Sequence, residues 1–498
     1  MRRLGMSRLG MGPLGVRAVA LFAALLLAAA GDAAAQGSTR ALSLEEALQL
    51  GARSSESVGI ARAGIERARG QQRQARSELF PQLSGVASYT RTLRSQFSAF
   101  ADDSAGGPPP AECRTFTADP TLPLAERIDS LESALECSAN ANPFAAFADL
   151  PFGQVNQYNL GLQASQLLFA GGRVRAQGRI ADASRRAAEI ELGAQQAQLQ
   201  LDVAEAYYDA VLSDRLVAIA ESTLVQTERT LENTRLARQV GNVAEFELLR
   251  AQVTRDNARP PVIQRRAQRD IAYLRLKQLL ELPLEDSLAL TTSLDEPAPA
   301  LDSLPASGAG TERAAVRQAE ANVDIQEGRA AVARAAALPT VRVQSQFARL
   351  GYPDDVLPAW SDFVSDWNVS LSVSLPLFTG GRLSGERMAA RADADEARLR
   401  LAQTRELAAL DTRTAQATLA AAEAAYEASA GTVEQAERAY AIAEIRQQEG
   451  ISTQTELGDS RIQLEQARAN RAQSARDLRV ARVRMRVIGE LPLQRARD

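Results

Sequence analysis

The sequence predicts a mainly α protein with a small β part, in which one long unit occurs twice. The chain from Tyr158 to Leu284 is repeated from Trp367 to Leu493 at a constant offset of 209 residues. Most of the chain is rich in Ala, Leu, Arg, Glu and Gln, which are strong helix formers. Short segments of alternating apolar and polar residues between the helical stretches predict strands. A long unit copied in tandem is typical of a protein that builds one large symmetric object.

Residues 1–35 are predicted to be a secretory signal peptide. Four arginines precede an apolar run at 18–30, and small residues at 33–35 offer a cleavage site before Gln36. The alternative is a membrane anchor, but an apolar run of 13 residues is too short to span a bilayer. We therefore expect an exported protein.

Four predicted strands have the pattern of strands between lipid and water. From Trp367 to Leu377, apolar residues alternate with small polar ones. The equivalent segment from Tyr158 to Leu168 alternates in the same way, except that Gln166 is polar where an apolar residue is expected. Two further strands follow Pro81 and Pro339. Sixteen of the 23 aromatic residues lie within 80–169 or 347–378, and aromatic residues gather at membrane interfaces. The alternative is a half-buried sheet of a soluble protein.

The helices are predicted to form two long antiparallel hairpins. A helix from Arg173 to Gln239 is about 67 residues, or roughly 100 Å, long. A seven-residue step from Val203 to Leu231, with a second row three residues behind that includes Ala206 and Ala220, gives it a coiled-coil seam. After a turn at Gly241, helices of about 41 and 28 residues, the second at 311–338, return over the same distance.

The second half is predicted to repeat this path with a turn at Gly450, and a helix from Ser43 to Leu79 supplies the missing returning piece. We expect a first repeat at 36–290, a second at 291–498, and an equatorial connection at 283–310, all in one integrated body. The first strand connection is about 49 residues longer than the second. The extra residues, at about 96–155, are expected to form an extracellular loop because outer-membrane strands have their long loops outside.

The only two cysteines, Cys113 and Cys137, lie in this insertion. An even number of cysteines in an exported chain favours a disulfide. A metal site needs more ligands than two cysteines in a chain with no histidine, so no metal is expected.

Catalytic patterns are missing from the sequence. Without histidine there is no Ser-His or Cys-His pair, and the sequence contains no phosphate-binding GxxxxGK[ST] loop and no GxSxG elbow. The net charge of −4, with both signs interspersed, does not suggest nucleic-acid binding. We expect no enzyme activity and no cofactor.

The repeated strand pair and helical hairpin resemble the TolC family of outer-membrane efflux channels over essentially the whole mature chain. Leu42-Ser43-Leu44-Glu45-Glu46-Ala47 is similar to the family's opening helix. The strand–helix junctions are similar as well, and carry Pro81, Phe169, Gly171, Gly172, Pro339, Phe378, Gly380 and Gly381. The resemblance implies an α-barrel, and four transmembrane β-strands per chain closed into a twelve-stranded barrel as a homotrimer in outer-membrane lipid. Four strands alone leave open edges, so physical reasoning also demands an oligomer.

The resemblance also implies where the functional residues lie. Acidic residues matching Glu456 and Asp459 form the periplasmic constriction in the family, and Glu247 is the first-repeat equivalent, while Arg250 replaces the second acid. The alternative for these carboxylates is an exposed charged helix end. Where some members have a latch arginine this chain has Ser452, and Arg446 or Arg461 are candidates to replace it. The hairpin tips, expected to dock a periplasmic adaptor, are Val240, Gly241, Asn242, Val243, Gly450, Ile451 and Ser452.

The sequence thus predicts a passive exit duct of a tripartite efflux or type I secretion system, working with an adaptor and an inner-membrane transporter. It would lie in the outer membrane of a Gram-negative-type bacterium, with a long periplasmic extension. The alternative is a periplasmic coiled-coil scaffold or adaptor without a pore.

Overall fold

The structure is a computed structural model that describes residues 40–93, 118–140, 155–295, 312–353 and 355–493. Its strands are β1 (Arg40–Leu42), β2 (Gln82–Arg91), β3 (Asn156–Ala170), β4 (Leu288–Leu290), β5 (Thr340–Gly351) and β6 (Phe363–Ser374). Its helices are α1 (Leu44–Ser54), α2 (Glu56–Ser77), α3 (Leu124–Asn140), α4 (Arg173–Gln239), α5 (Glu245–Leu279), α6 (Ala314–Ala335), α7 (Arg382–Gln448) and α8 (Gln454–Val487). A short 3-10 turn at Trp360–Asp362 precedes β6.

Two compact units divide the chain, and each draws on both repeats. The first takes the described parts of 1–68, 184–323 and 397–498, and the second those of 69–183 and 324–396.

The long helices form as predicted. Helix α4 has the predicted bounds and is 67 residues long, as is its repeat equivalent α7. The predicted seam of α4 is buried except at Ala206 and Leu224. Small seam residues such as Ala210 and Ala220 allow this close helix packing.

The returning helices are shorter than predicted. Helix α5 ends at Leu279 rather than beside Pro283, and α6 spans Ala314–Ala335 rather than 311–338. Turns take up the difference, because Glu281 adopts a positive φ of 54° that ends helical geometry.

The predicted single helix from Ser43 to Leu79 is wrong. The structure has two helices, α1 and α2, because Ser55 leaves helical geometry with ψ of 118°. The backbone N–H of Glu56 donates to Glu281 Oε1 at 3.0 Å, which satisfies the start of α2. The contact that permits the break between α1 and α2 comes from Glu281, which lies 225 positions after Glu56 in the chain.

The core of the first unit surrounds a short parallel pairing of β1 with β4. Tyr207 is fully buried there, and its hydroxyl donates to Leu42 O and accepts from Thr292 N, both at 2.9 Å. The hydroxyl thereby holds Thr292, which lies in the segment 283–310 predicted to be an equatorial connection; residues 296–310 of that segment lie outside the described residues. Buried Leu276, Leu280, Val483 and Val487 complete this core.

The second unit contains a four-stranded antiparallel sheet of order β2-β3-β5-β6. Each of the four predicted segments contains one strand of this sheet, although β6 begins at Phe363 and ends at Ser374. Gln166 itself pairs in regular register with Val343, but a β-bulge follows it, because Leu167 pairs with Arg342 and Phe169 with Val341. Leu168 is the extra residue, so the alternation shifts by one.

Candidate functional site

The two hairpin turns have the same backbone geometry. Gly241 has φ of +80° and Gly450 has φ of +73°. Asn242 N donates to Ala237 O at 3.0 Å, and Ile451 N donates to Arg446 O at 2.9 Å. Gly241 N also donates to Arg238 O at 3.0 Å, and Gly450 N donates to Gln447 O at 3.1 Å. Each pair of bonds makes a Schellman motif, in which glycine provides the left-handed residue that ends a helix. The predicted tip residues therefore form the tight reversals.

Glu456 is held in place by its own hairpin. Ser452 Oγ donates to Glu456 Oε2 at 2.9 Å, and Arg446 Nε lies 3.8 Å from Glu456 Oε1. The backbone N–H of Glu456 donates to the side chain of the N-cap Thr453 at 3.4 Å. Of the two arginines considered as latch replacements, Arg446 therefore already has a carboxylate partner within the chain.

The equivalent glutamate in the first hairpin has different surroundings. The N-cap of α5 is Ala244, which offers no side-chain cap. Glu247 is half-buried, and its Oε2 has no hydrogen-bond partner among the described residues. The two repeats therefore share their backbone path at the tips but differ in polar contacts.

A cavity of about 200 Å³ lies between the four helices behind the turns. Asp459 of α8 and Arg250 of α5, which are repeat equivalents, both line it. Arg461 and Tyr440 also line it, and burial lowers the pKa of Arg461 and raises that of Tyr440. Asp459 is exposed and forms no ion pair within the described part of the chain. The structure thus brings Asp459, Arg250 and Arg461 to one cavity.

One contact between the two hairpins was not predicted. Gln454 Nε2 donates to Thr234 Oγ1 at 2.9 Å, which joins the start of α8 to the end of α4. The spacing of Thr453 and Glu456 is a helix-start signal that could have placed Gln454 in the first turn of α8. Its partner in α4 could not have been found without the packing.

The predicted junction residues lie where strands meet helices. Pro81 and Pro339 immediately precede β2 and β5. The paired glycines before α4 and α7 all have positive φ, namely Gly171, Gly172, Gly380 and Gly381. Phe169 lies in β3, whereas Phe378 follows β6 and is exposed.

Of the two cysteines, Cys137 lies in α3 and is disulfide-bonded. Its predicted partner Cys113 lies outside the described residues, so the pairing stays a prediction. None of the helices in the described ranges is both long enough and apolar enough to cross a membrane.

Comparison with known proteins decides the family. A family model described as outer membrane efflux protein matches residues 47–281 and 307–488. The chain belongs to the outer membrane efflux protein family. It is 28% identical over 244 residues to the toluene efflux pump outer membrane protein TtgF of Pseudomonas putida. That alignment covers 48% of this chain and spans about half the length of the curated relative, 50%.

Solved structures of similar fold cover more of the chain. The CmeC outer membrane channel of Campylobacter jejuni has a TM-score of 0.69 at 17% identity, covering 91% of this chain and 87% of that one. The outer membrane protein VceC of Vibrio cholerae has a TM-score of 0.67 at 19% identity, covering 90% and 96%. The mostly helical architecture with some sheet is thereby confirmed as that of this outer membrane efflux family, which comprises channels rather than enzymes.

Proposed function

We propose that three copies of this outer membrane efflux protein form the exit duct of a tripartite efflux or type I secretion system. The observation that carries the proposal is the four-stranded sheet of the second unit. Its edge strands, β2 and β6, pair on one side only within the described chain. A sheet with two open edges and an exposed apolar face needs both partner strands and a surrounding apolar medium.

The two faces of β6 differ in the way a membrane strand requires. Trp367, Val369 and Leu371 alternate with Asn368, Ser370 and Ser372, and all of them are exposed in the single chain. Contact with lipid on the apolar face and with a water-filled lumen on the polar face accounts for this pattern.

The open edges set the number of chains. An unpaired backbone N–H or C=O in lipid costs several kcal/mol, so the strands must close into a barrel. Three chains with four strands each give twelve strands. The homotrimer is thus the assembly that the sheet and the threefold arrangement implied by the family resemblance both support.

The helical hairpins provide the periplasmic extension. A helix of 67 residues such as α4 measures about 100 Å. The tips beyond it expose apolar side chains, including Val240, Phe246 and Ile451. This apolar surface suits docking of a periplasmic adaptor, which would link the duct to an inner-membrane transporter, and movement through the duct is passive.

The gate is assigned to Glu456 and Asp459. They lie three residues apart on one face of α8, next to the turn. Threefold symmetry brings six carboxylates together, and a ring of carboxylates attracts cations into a pore. Arg446 lies beside each Glu456, so the carboxylate of the ring without an ion-pair partner in the described chain is that of Asp459.

Replacing both carboxylates tests the gate. We expect the double substitution Glu456→Ala with Asp459→Ala to raise single-channel conductance in planar bilayers several-fold and to lower the preference for cations. Smaller, neutral side chains widen the constriction and remove six negative charges. Conductance and the reversal potential in a potassium chloride gradient are the measurements.

The first repeat offers a matched control at equivalent positions. Glu247→Ala with Arg250→Ala changes the same two places on α5 and should change conductance less, because the second hairpin is proposed to line the pore. Unchanged conductance and ion preference in the Glu456/Asp459 variant would remove the gate assignment and leave the duct intact. The alternative of a scaffold without a pore gains no support from the family match.

A further inference from the structure

The long connection between β2 and β3 contains a helix with no counterpart in the other repeat. Helix α3 runs over 17 residues, Leu124–Asn140, whereas β5 and β6 are joined across 352–362 with only the short 3-10 turn described. Neither the duct nor the gate uses this helix. Its surface is therefore the feature that the proposed function leaves unexplained.

One face of α3 is apolar and exposed. Leu124, Ile128, Leu131 and Leu135 follow the four-three-four spacing that places side chains along one stripe of a helix. Their exposed fractions are 71%, 47%, 41% and 58%. Four large apolar side chains in one exposed row mark a surface that packs against something else.

The stripe has the register of a coiled coil. The spacing places Ile128 and Leu135 at a positions, and Leu124 and Leu131 at d positions, so the two core positions are filled over nearly two heptads. In this register Arg127 is a g residue and Glu132 is the following e residue. Residues at these two positions pair between neighbouring helices of a parallel coiled coil.

Charge complementarity indicates that the apolar stripe of α3 packs against the same helix of another copy of the chain. In a parallel arrangement of identical helices, Arg127 of one helix faces Glu132 of the next, which is an ion pair of opposite charges. An antiparallel arrangement pairs g with g and e with e, so it loses this match. Neither residue forms an ion pair within the described part of the chain, and Arg127 Nε has no acceptor there.

We propose that α3 forms a parallel three-stranded coiled coil with the α3 helices of the two other copies of this chain. The inference rests on the proposed homotrimer. A helix of 17 residues is too short to assemble strongly by itself, but attachment to β2 and β3 of a trimeric barrel makes the association intramolecular. The coil places a three-helix column on the threefold axis beyond the extracellular end of the barrel, so that cargo leaving the duct passes between the segments that connect α3 to β2 and β3.

The chain's composition allows a sharp crosslinking test. Lys277 is the only lysine, and its Nζ is part-buried, donating to Leu284 O at 2.7 Å. The variant Arg127→Lys keeps the positive charge and adds one accessible amine. Treatment of the purified full-length assembly with a zero-length carbodiimide should then join neighbouring chains through Glu132, giving covalent trimers on denaturing gels.

Two variants serve as controls. Ser133→Lys places the amine at an f position, away from the stripe, and should give no covalent trimer. Arg127→Lys with Glu132→Gln keeps the amine and removes the carboxylate, and should reduce covalent trimers to the level of the unmodified chain.

Native mass in mild detergent separates failure of this inference from failure of the proposed function. An assembly of three chains that gives no more coupling with Arg127→Lys than with Ser133→Lys overturns the coiled coil and leaves the duct. If the Arg127→Lys variant does not assemble, Leu131→Cys provides the second test. Oxidation should join two of three chains into covalent dimers, absent from Ser133→Cys, and equal yields from both variants overturn the proposal.

Discussion

Replacing Asp411 with alanine is expected to destabilise the protein by about 3–5 kcal/mol, because two arginines would then lose their buried partner. Arg313 Nη2 lies 2.9 Å from Asp411 Oδ2, and Arg484 Nη2 lies 3.2 Å from Asp411 Oδ1. The side chains of Arg313 and Asp411 are only 9% and 13% exposed. Charges at this depth are screened weakly, so removing the shared carboxylate leaves uncompensated charge in the core.

Chemical denaturation in detergent, followed by helical circular dichroism, measures this loss. The control is Glu434→Ala, which breaks an exposed pair with Arg438 at 2.6 Å whose contribution is at most about 1 kcal/mol. Arg313 also donates to Thr412 Oγ1 and Leu491 O, so those contacts hold the arginine in place when the carboxylate is removed. Equal stability of the two variants would contradict the assignment of Asp411 as the anchor of this core.

The second large effect is expected from Gly171→Ala at the junction before α4. Gly171 has φ of +59°, and a Cβ there would lie 2.6 Å from Leu338 Cβ and 3.0 Å from Ala335 O. The left-handed backbone costs an alanine about 1–2 kcal/mol. The overlap adds about 1–3 kcal/mol, because backbone and Cβ atoms cannot move aside as a flexible side-chain end can.

The repeat supplies a matched control for this variant. Gly380 occupies the equivalent position with the same φ of +59°, but a Cβ there meets nothing within 4 Å in the chain. Gly380→Ala therefore carries the backbone strain alone. The difference in unfolding free energy between the two variants isolates the overlap, and no difference would show that the α6 end does not press on this junction.

Much of the fold could be predicted because the helices, strands and turns depend on local patterns of residues. Helix α4 has the predicted bounds because a proline-free run rich in helix formers ends at Gly241. The strands follow from alternation and from the prolines that precede β2 and β5. The turn glycines were predictable because left-handed backbone conformations favour glycine.

What the sequence did not predict depends on distant contacts. The break at Ser55 needs Glu281, the bulge at Leu168 needs the register with β5, and β1 and β4 are three-residue strands without a visible pattern. At the candidate site, the charges of Glu456 and Asp459 were predicted. The contact of Arg446 with Glu456 and the presence of Tyr440 in the cavity of Asp459 were not, because both residues are placed by packing of α7 against α8.

The proposed duct requires that the four-stranded sheet closes with copies of itself into one barrel. The most direct test is the native mass of the mature protein extracted from outer membranes in mild detergent, corrected for bound detergent. We expect a species of three chains, because only partner strands can satisfy the open edges of β2 and β6 in lipid. A stable monomer would contradict the shared barrel, and with it the duct.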